Sequence, residues 1–194
     1  MSIRRQIIDR RSKKTRAQLM QAMVALMQDR IWEEIPVRDI CDKADIARST
    51  FYLHFAGKAE LLDFAFRFLG DEIRSQPKDR SLDTDACFAV LPVVVRMMTT
   101  DDRGFLFTRD AASQTTYLAR ERLRHVIETL LDEELQASAR FGSLPKLDLA
   151  FCAAGVFGVI EARHLGQIDH DPAQLLAALD TLMAPILARS EAKA

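Results

Sequence analysis

The chain has 194 residues, 48% hydrophobic and 28% charged, with a net charge of −1. That balance is ordinary for a soluble globular protein and leaves room for one or two domains and a sizeable core. Its longest apolar run, Leu149 to Ile160, is well short of the roughly 20 residues that span a membrane, so no membrane partner is expected. The basic N-terminus has no apolar signal core, which argues against secretion. Cys41, Cys87 and Cys152 are scattered in apolar helical contexts and read as reduced, buried thiols of a cytoplasmic protein. With only 7 Gly and 6 Pro and no alternating strand pattern, the reading is all-α.

In chain order, residues 1–11 read as a basic arm. Ser12 is a candidate cap for a helix from Lys13 to about Arg30, with Leu19, Met20, Met23, Val24, Leu26 and Met27 as its buried stripe. Trp32 and Ile35 are expected to dock on the core from a short connector. Pro36 suits the start of a second helix, where its missing N–H does no harm. Val37, Ile40, Cys41 and Ala44 recur at i, i+3, i+4, i+7, one apolar face of that helix. Asp45 is placed to take a left-handed turn. Arg48 to Phe55 resumes helical spacing, with Phe51 and Phe55 pointing one way. Arg48, Ser49, Thr50, Tyr52 and Leu53 spread over the rest of its surface. A short helix pinned by two aromatics, with polar residues outside, suits the second helix of a helix-turn-helix.

After the Ala56-Gly57 break, a fourth helix runs from Lys58 to about Ile73, apolar on more than one face. Ser75 to Asp85 reads as a loop. A helix from Ala86 to about Thr99 contains Pro92, which is expected to kink it. Asp101 to Gly104 reads as a turn and Phe105 to Ala112 as a short helix or irregular segment. Long helices follow over about Gln114–Ala139 and Lys146–Leu165, and Asp171-Pro172 opens the last one, to about Ala188.

The charge is unevenly spread. Residues 1–70 hold 13 basic and 9 acidic side chains, net +4, and residues 71–194 the other 14 and 19, net −5. Seven of the basic side chains fall within residues 1–16, against one acid. Beside a helix-turn-helix, such a pole points to DNA as the partner.

The blocks Val37-Arg38-Asp39-Ile40, Thr50-Phe51-Tyr52, His54-Phe55 and Lys58-Ala59-Glu60-Leu61-Leu62, with the spacing between them, resemble the DNA-binding domain of the tetracycline repressor (TetR) family over roughly residues 12–68. The resemblance implies a three-helix DNA reader over residues 1–70 and a helical ligand-binding and dimerisation domain over 71–194. It implies a homodimer on double-stranded DNA, a small-molecule effector, no cofactor and no catalytic residue. The expected function is a regulator, most often a repressor, released from a palindromic operator by its ligand. A ligand-independent structural DNA-binding protein and a helical small-molecule enzyme are the alternatives. No acid/base, nucleophile or phosphate-loop constellation supports the enzyme. Four positions depart from the family pattern. Ile31 and Asp45 stand where glycine is usual, and Pro36 and Ala47 where a hydroxyl residue is usual, so two caps or phosphate contacts are missing.

On this reading Arg48 bonds guanine or phosphate, Ser49, Thr50 and Tyr52 meet phosphates or base edges, and Leu53 can touch a thymine methyl. Arg38, His54 and Lys58 are expected on phosphates, the last at a helix N-terminus. Small residues in the 149–160 run, with Leu175, Leu176, Ala178, Leu179, Leu182, Met183 and Ile186, resemble the helices that form the family's dimer bundle. Phe88, Met97, Met98, Phe105, Phe107, Tyr117, Phe151 and Phe157 are candidates for an apolar pocket. Arg109, His125, Glu161, Arg163 and His164 are its candidate polar anchors. His164, Asp169, His170 and Asp171 cluster near a loop, but their spacing matches no standard metal site.

Overall fold

A computed structural model describes residues 3–77, 88–99, 114–138 and 144–191, with side chains over 10–77, 88–99, 117–138 and 144–188. Among the described residues all regular structure is helical: α1 (Ile3–Met27), a 3-10 turn (Trp32–Glu34), α2 (Val37–Ala44), α3 (Arg48–His54), α4 (Lys58–Ser75), α5 (Leu91–Met98), α6 (Gln114–Ala137), α7 (Lys146–His164) and α8 (Pro172–Glu191). The chain divides into two compact units, Met1–Arg67 and Phe68–Ala194, with the boundary falling within the sequence of α4.

In the first unit α1 packs on α2 and α3, and α2 on α3. Leu19 and Met23 of α1, with Ile35, Ile40, Phe51 and Leu61, are essentially inaccessible to solvent and make up the core of this unit. Trp32 and Ile35 are buried, as their place in the connector implied. Helix α1 does not begin at Ser12. It continues back to Ile3, because nothing in 3–11 breaks it: that stretch has neither Gly nor Pro, and Arg and Gln are good helix formers. Ser12 is therefore an interior helical residue, and its hydroxyl lies 3.5 Å from His54 Nδ1.

The turn between α2 and α3 depends on Asp45, with φ 54° and ψ 46°. The N–H of Asp45 donates to the Asp42 carbonyl, and that of Ile46 to the Cys41 carbonyl. This is the paired bonding that ends a helix on a left-handed residue, where glycine is the usual choice. Arg30 braces the opposite end of α2, at its first turn. It donates to the Asp39 carboxylate at 2.6 Å and to the Glu34 carbonyl at 2.7 Å. The hydrogen bond from Arg30 holds the Asp39 carboxyl below its ordinary range.

In the second unit α6 packs chiefly on α7, while α8 packs on α5 and α7. Leu123, Ile127 and Leu130 face inward from α6, Cys152, Ala153 and Val156 from α7, and Leu175, Leu179 and Met183 from α8. Pro92 does not kink a helix. The helix starts only at Leu91, so Pro92 lies in its first turn, where a missing N–H costs nothing. The N–H groups of Ala89 and Val90 donate to the Glu134 carboxylate, supplied from α6.

Helix α7 ends on Gly166 at φ +66°. The N–H groups of Gly166 and Gln167 donate to the carbonyls of Arg163 and Ala162. Helix α8 opens on a reciprocal cap. Gln174 N–H donates to Asp171 Oδ1 at 2.8 Å, and Asp171 N–H to Gln174 Oε1 at 2.9 Å, with Pro172 as the first helical residue. Cys41 and Cys152 are free and buried, and burial pushes the Cys41 thiol up. Cys87 lies outside the described residues.

Candidate nucleic-acid interface

Helix α3 is two-sided because of its spacing. Phe51 is fully buried and Phe55 nearly so, their ring centroids 5.7 Å apart. A second aromatic contact, Phe55 to Phe64 at 5.6 Å, fixes α3 against α4. Arg48, Ser49, Tyr52 and Leu53 are all exposed, while Thr50 and His54 are half-buried. Because residues four apart share a ridge on a helix, the outward face consists of two: Arg48 with Tyr52, and Ser49 with Leu53. Tyr52 sets its ring edge-on to Phe51, centroids 5.4 Å apart, which orients the phenol away from the core.

The rear end of α3 is held by α1. The Arg16 guanidinium lies 5.4 Å from the Phe55 ring centroid and 5.5 Å from that of Phe64, and it donates to the His54 carbonyl at 3.4 Å. A cation at a helix C-terminus opposes the helix dipole favourably, and its stacking over two rings adds attraction. Sequence reasoning missed Arg16. Its signal is positional: it falls on the stripe defined by Leu19, Met20 and Met23, where an apolar residue is expected.

The other candidates are placed variously. Arg38 is 69% exposed at its side chain, within 3.5 Å of Asp39 and 4.0 Å of Asp42. Lys58 was expected on a phosphate, yet its ammonium already donates to the carbonyls of Trp32 (2.7 Å), Glu33 (3.2 Å) and Ile35 (3.1 Å). It also lies 4.8 Å from the Trp32 ring centroid, and burial lowers its pKa. In this state Lys58 is a clasp between the 3-10 turn and the start of α4. Neither Pro36 nor Ala47 supplies a side-chain cap to the helix it precedes. On α1, Arg10, Arg11, Lys13 and Lys14 are exposed.

In the second unit, of the candidate pocket residues Phe88 and Met98 are buried in the core, and Met97 and Phe157 are half-buried. Tyr117 is 61% exposed and His125 is exposed too. Turning Leu123, Ile127 and Leu130 inward puts His125 on the opposite side of α6, so neither residue lines an interior cavity in this structure. Phe105, Phe107 and Arg109 lie outside the described residues. Of the polar candidates, Glu161 pairs with Arg120 at 2.8 Å, each about a quarter exposed. His164 Nε2 lies 2.6 Å from the Met98 carbonyl. Arg163 donates to the His170 carbonyl, and Asp171 is occupied as a cap. Arg120 also escaped sequence reasoning, for the same reason as Arg16: it falls three residues before Leu123 on the inward stripe.

A third surface runs along α7 and α8. Leu147 (79%), Phe151 (64%) and Leu182 (66%) are large apolar side chains left exposed. A Cβ added at Gly155 or Gly158 would meet nothing within 4 Å, so neither glycine makes room for a neighbour in its own chain.

Residues 19–64 match the family model described as bacterial regulatory proteins, tetR family. No curated protein sequence matches the chain. Among solved structures, a TetR transcriptional regulator from Streptococcus agalactiae is similar over 92% of this chain and 98% of its own, with TM-score 0.59 and 19% identity. A TetR-family regulator from Syntrophomonas wolfei aligns over 91% and 96%, with TM-score 0.62 and 14% identity. RolR in its complex with the ligand resorcinol aligns over 95% and 93%, with TM-score 0.56 and 19% identity. At these identities the likeness shows a shared all-helical fold along nearly the whole chain.

Proposed function

We propose that the chain, whose residues 19–64 match the tetR-family model, acts as a homodimeric DNA-binding regulator of transcription, a repressor released from a palindromic operator by a small molecule. The observation that carries this reading is the outward face of α3: Arg48, Ser49, Tyr52 and Leu53 exposed together on a helix fixed from behind by Phe51 and Phe55. Arg48 is suited to guanine or phosphate, and Thr50 and Tyr52 to phosphates or base edges. Arg38 and His54 contribute phosphate contacts at the flanks. Lys58 serves the interface by clasping the 3-10 turn, its backbone adding to the positive helix start. The exposed basic residues of α1 supply sequence-independent attraction.

Dimerisation is supported by the α7–α8 surface. Leu147, Phe151 and Leu182 stand beside two glycines whose missing side chains leave space only outside the protomer. Two readers one helical turn apart then bind an inverted repeat. Effector control is supported by the resorcinol complex of RolR and by the half-buried Arg120–Glu161 ion pair. The effector class is an apolar or aromatic small molecule with one polar group. Its differential affinity for two states of the dimer sets the population able to bind DNA. No described helix is long and apolar enough to cross a membrane, which accords with the proposed cytoplasmic location.

Selection of the purified protein against random duplexes tests the reading. An enriched inverted repeat whose affinity falls steeply with salt supports it, and no enrichment overturns it. A hydrophobic metabolite that raises the melting temperature and releases the DNA supports effector control. Without such a ligand, the protein is a ligand-independent DNA-binding protein.

A further inference from the structure

Leu53 is 82% exposed, the highest value for any large hydrophobic side chain among the described residues. A lone exposed leucine is common on protein surfaces, but this one has an informative setting. It stands on the outward face of α3, one turn beyond Ser49 and next to Tyr52. Every other exposed side chain of that helix carries a hydrogen-bonding group: Arg48, Ser49 and Tyr52. No packing in the first unit accounts for it, since the buried side of the helix is already filled by Phe51 and Phe55.

A side chain without donors or acceptors cannot read the hydrogen-bonding edges of bases. In the major groove the apolar group that distinguishes one base from the others is the C5-methyl of thymine. We propose that Leu53 is a specificity-determining residue that selects, in each half-site of the operator, one thymine through its C5-methyl group. The proposal rests on the operator reading above and goes further by assigning a base and an atom to one side chain. The Arg48–Tyr52 ridge then reads polar groups, and the Ser49–Leu53 ridge reads a methyl-bearing pair beside them.

The test uses the enriched operator and replaces each thymine singly by deoxyuridine, which keeps base pairing and loses only the methyl. Burial of one methyl-sized group corresponds to about a fourfold change in affinity. One thymine per half-site should therefore show a loss of roughly fourfold, and the symmetric double replacement about fifteenfold. In Leu53→Ala that sensitivity should vanish while the salt dependence stays the same, because no phosphate contact has changed. At the same position a C·G pair should bind weakly, and 5-methylcytosine in place of cytosine should recover part of the affinity in the wild type only. Circular dichroism of Leu53→Ala should match the wild type, as the side chain touches no core.

If no thymine is methyl-sensitive, or if Leu53→Ala keeps the wild-type sensitivity, the assignment of Leu53 is wrong while the operator reading stands. If no inverted repeat is enriched at all, the operator reading fails and this inference falls with it.

Discussion

Helix α3 and the α7–α8 surface both expose large apolar side chains, and they do so in opposite surroundings. On α3, Leu53 stands alone among an arginine, a serine and a tyrosine. On α7 and α8, Leu147, Phe151 and Leu182 stand among alanines and glycines, with nothing charged at Ala150, Ala154, Gly155 or Ala178. Exposure alone does not tell the two apart. The neighbours do: a partner rich in donors, acceptors and charge matches the first surface, and a second apolar surface matches the other. The buried backing differs as well. Two phenylalanines anchor a seven-residue helix, whereas α7 has a full inward stripe of its own.

The sharpest way to break this comparison is to change the anchor and not the face. Phe51→Ala should cost about 3–5 kcal/mol of stability, the usual loss for a buried phenylalanine, read by urea unfolding. Leu53→Ala, two residues away, should cost almost none. Equal losses would place Leu53 in the core and remove it from the reading face.

On the other surface, a Cβ added at Gly158 meets nothing within 4 Å, so the side chain of Gly158→Leu sets out into open space in the protomer. In a packed dimer interface the same change should cost about 1–3 kcal/mol by overpacking and shift the protein toward monomer, with operator affinity falling in parallel. Sedimentation equilibrium at low concentration checks this, and an unchanged dimer would move the interface elsewhere. Tyr52→Ala should cost about 1–3 kcal/mol at the operator with little loss of stability, measured by titration of a labelled duplex. A loss shared equally by random DNA would make Tyr52 a phosphate contact and not a base reader.

The smallest effect concerns acid. The Asp39 carboxyl is held below its ordinary value of 3.8, chiefly by the hydrogen bond from Arg30. Its contribution is therefore complete above the unfolded value and disappears as pH falls through the folded one. Unfolding curves followed from about pH 5 down to about pH 2.5 should show the wild type losing its advantage over Asp39→Asn. A constant difference across that range would mean that Arg30 does not hold the carboxylate.

The first unit was legible in the sequence where its signals are local. The i, i+3, i+4, i+7 spacing in α2, the left-handed Asp45 and the Phe51–Phe55 pair each lie within a few residues of what they determine. The errors came from signals with two meanings. Ser12 can cap a helix or lie within one, and the unbroken run of helix formers before it decided the matter. Pro92 kinks a helix only from its interior, and no local feature marked Leu91 as the start. That start is satisfied by Glu134, more than forty residues later, a partnership that periodicity cannot reveal. Arg16 and Arg120 were invisible to a search for apolar stripes because each interrupts one, and the interruption itself was the clue. Tyr117 and His125 were grouped by chemical type, and helical geometry separated them from the buried residues.

Helix α3 begins after Ala47 without a side-chain cap, and the first N–H groups of any helix have no acceptor within it. The amides of Arg48 and Ser49 are thus expected to exchange their hydrogens with solvent quickly, while that of Phe51, bonded to the Ala47 carbonyl, exchanges slowly. A cap would have muted that contrast. Its absence turns the start of the reading helix into an intrinsic reporter, two unguarded amides that a docked phosphate would slow without any label being added.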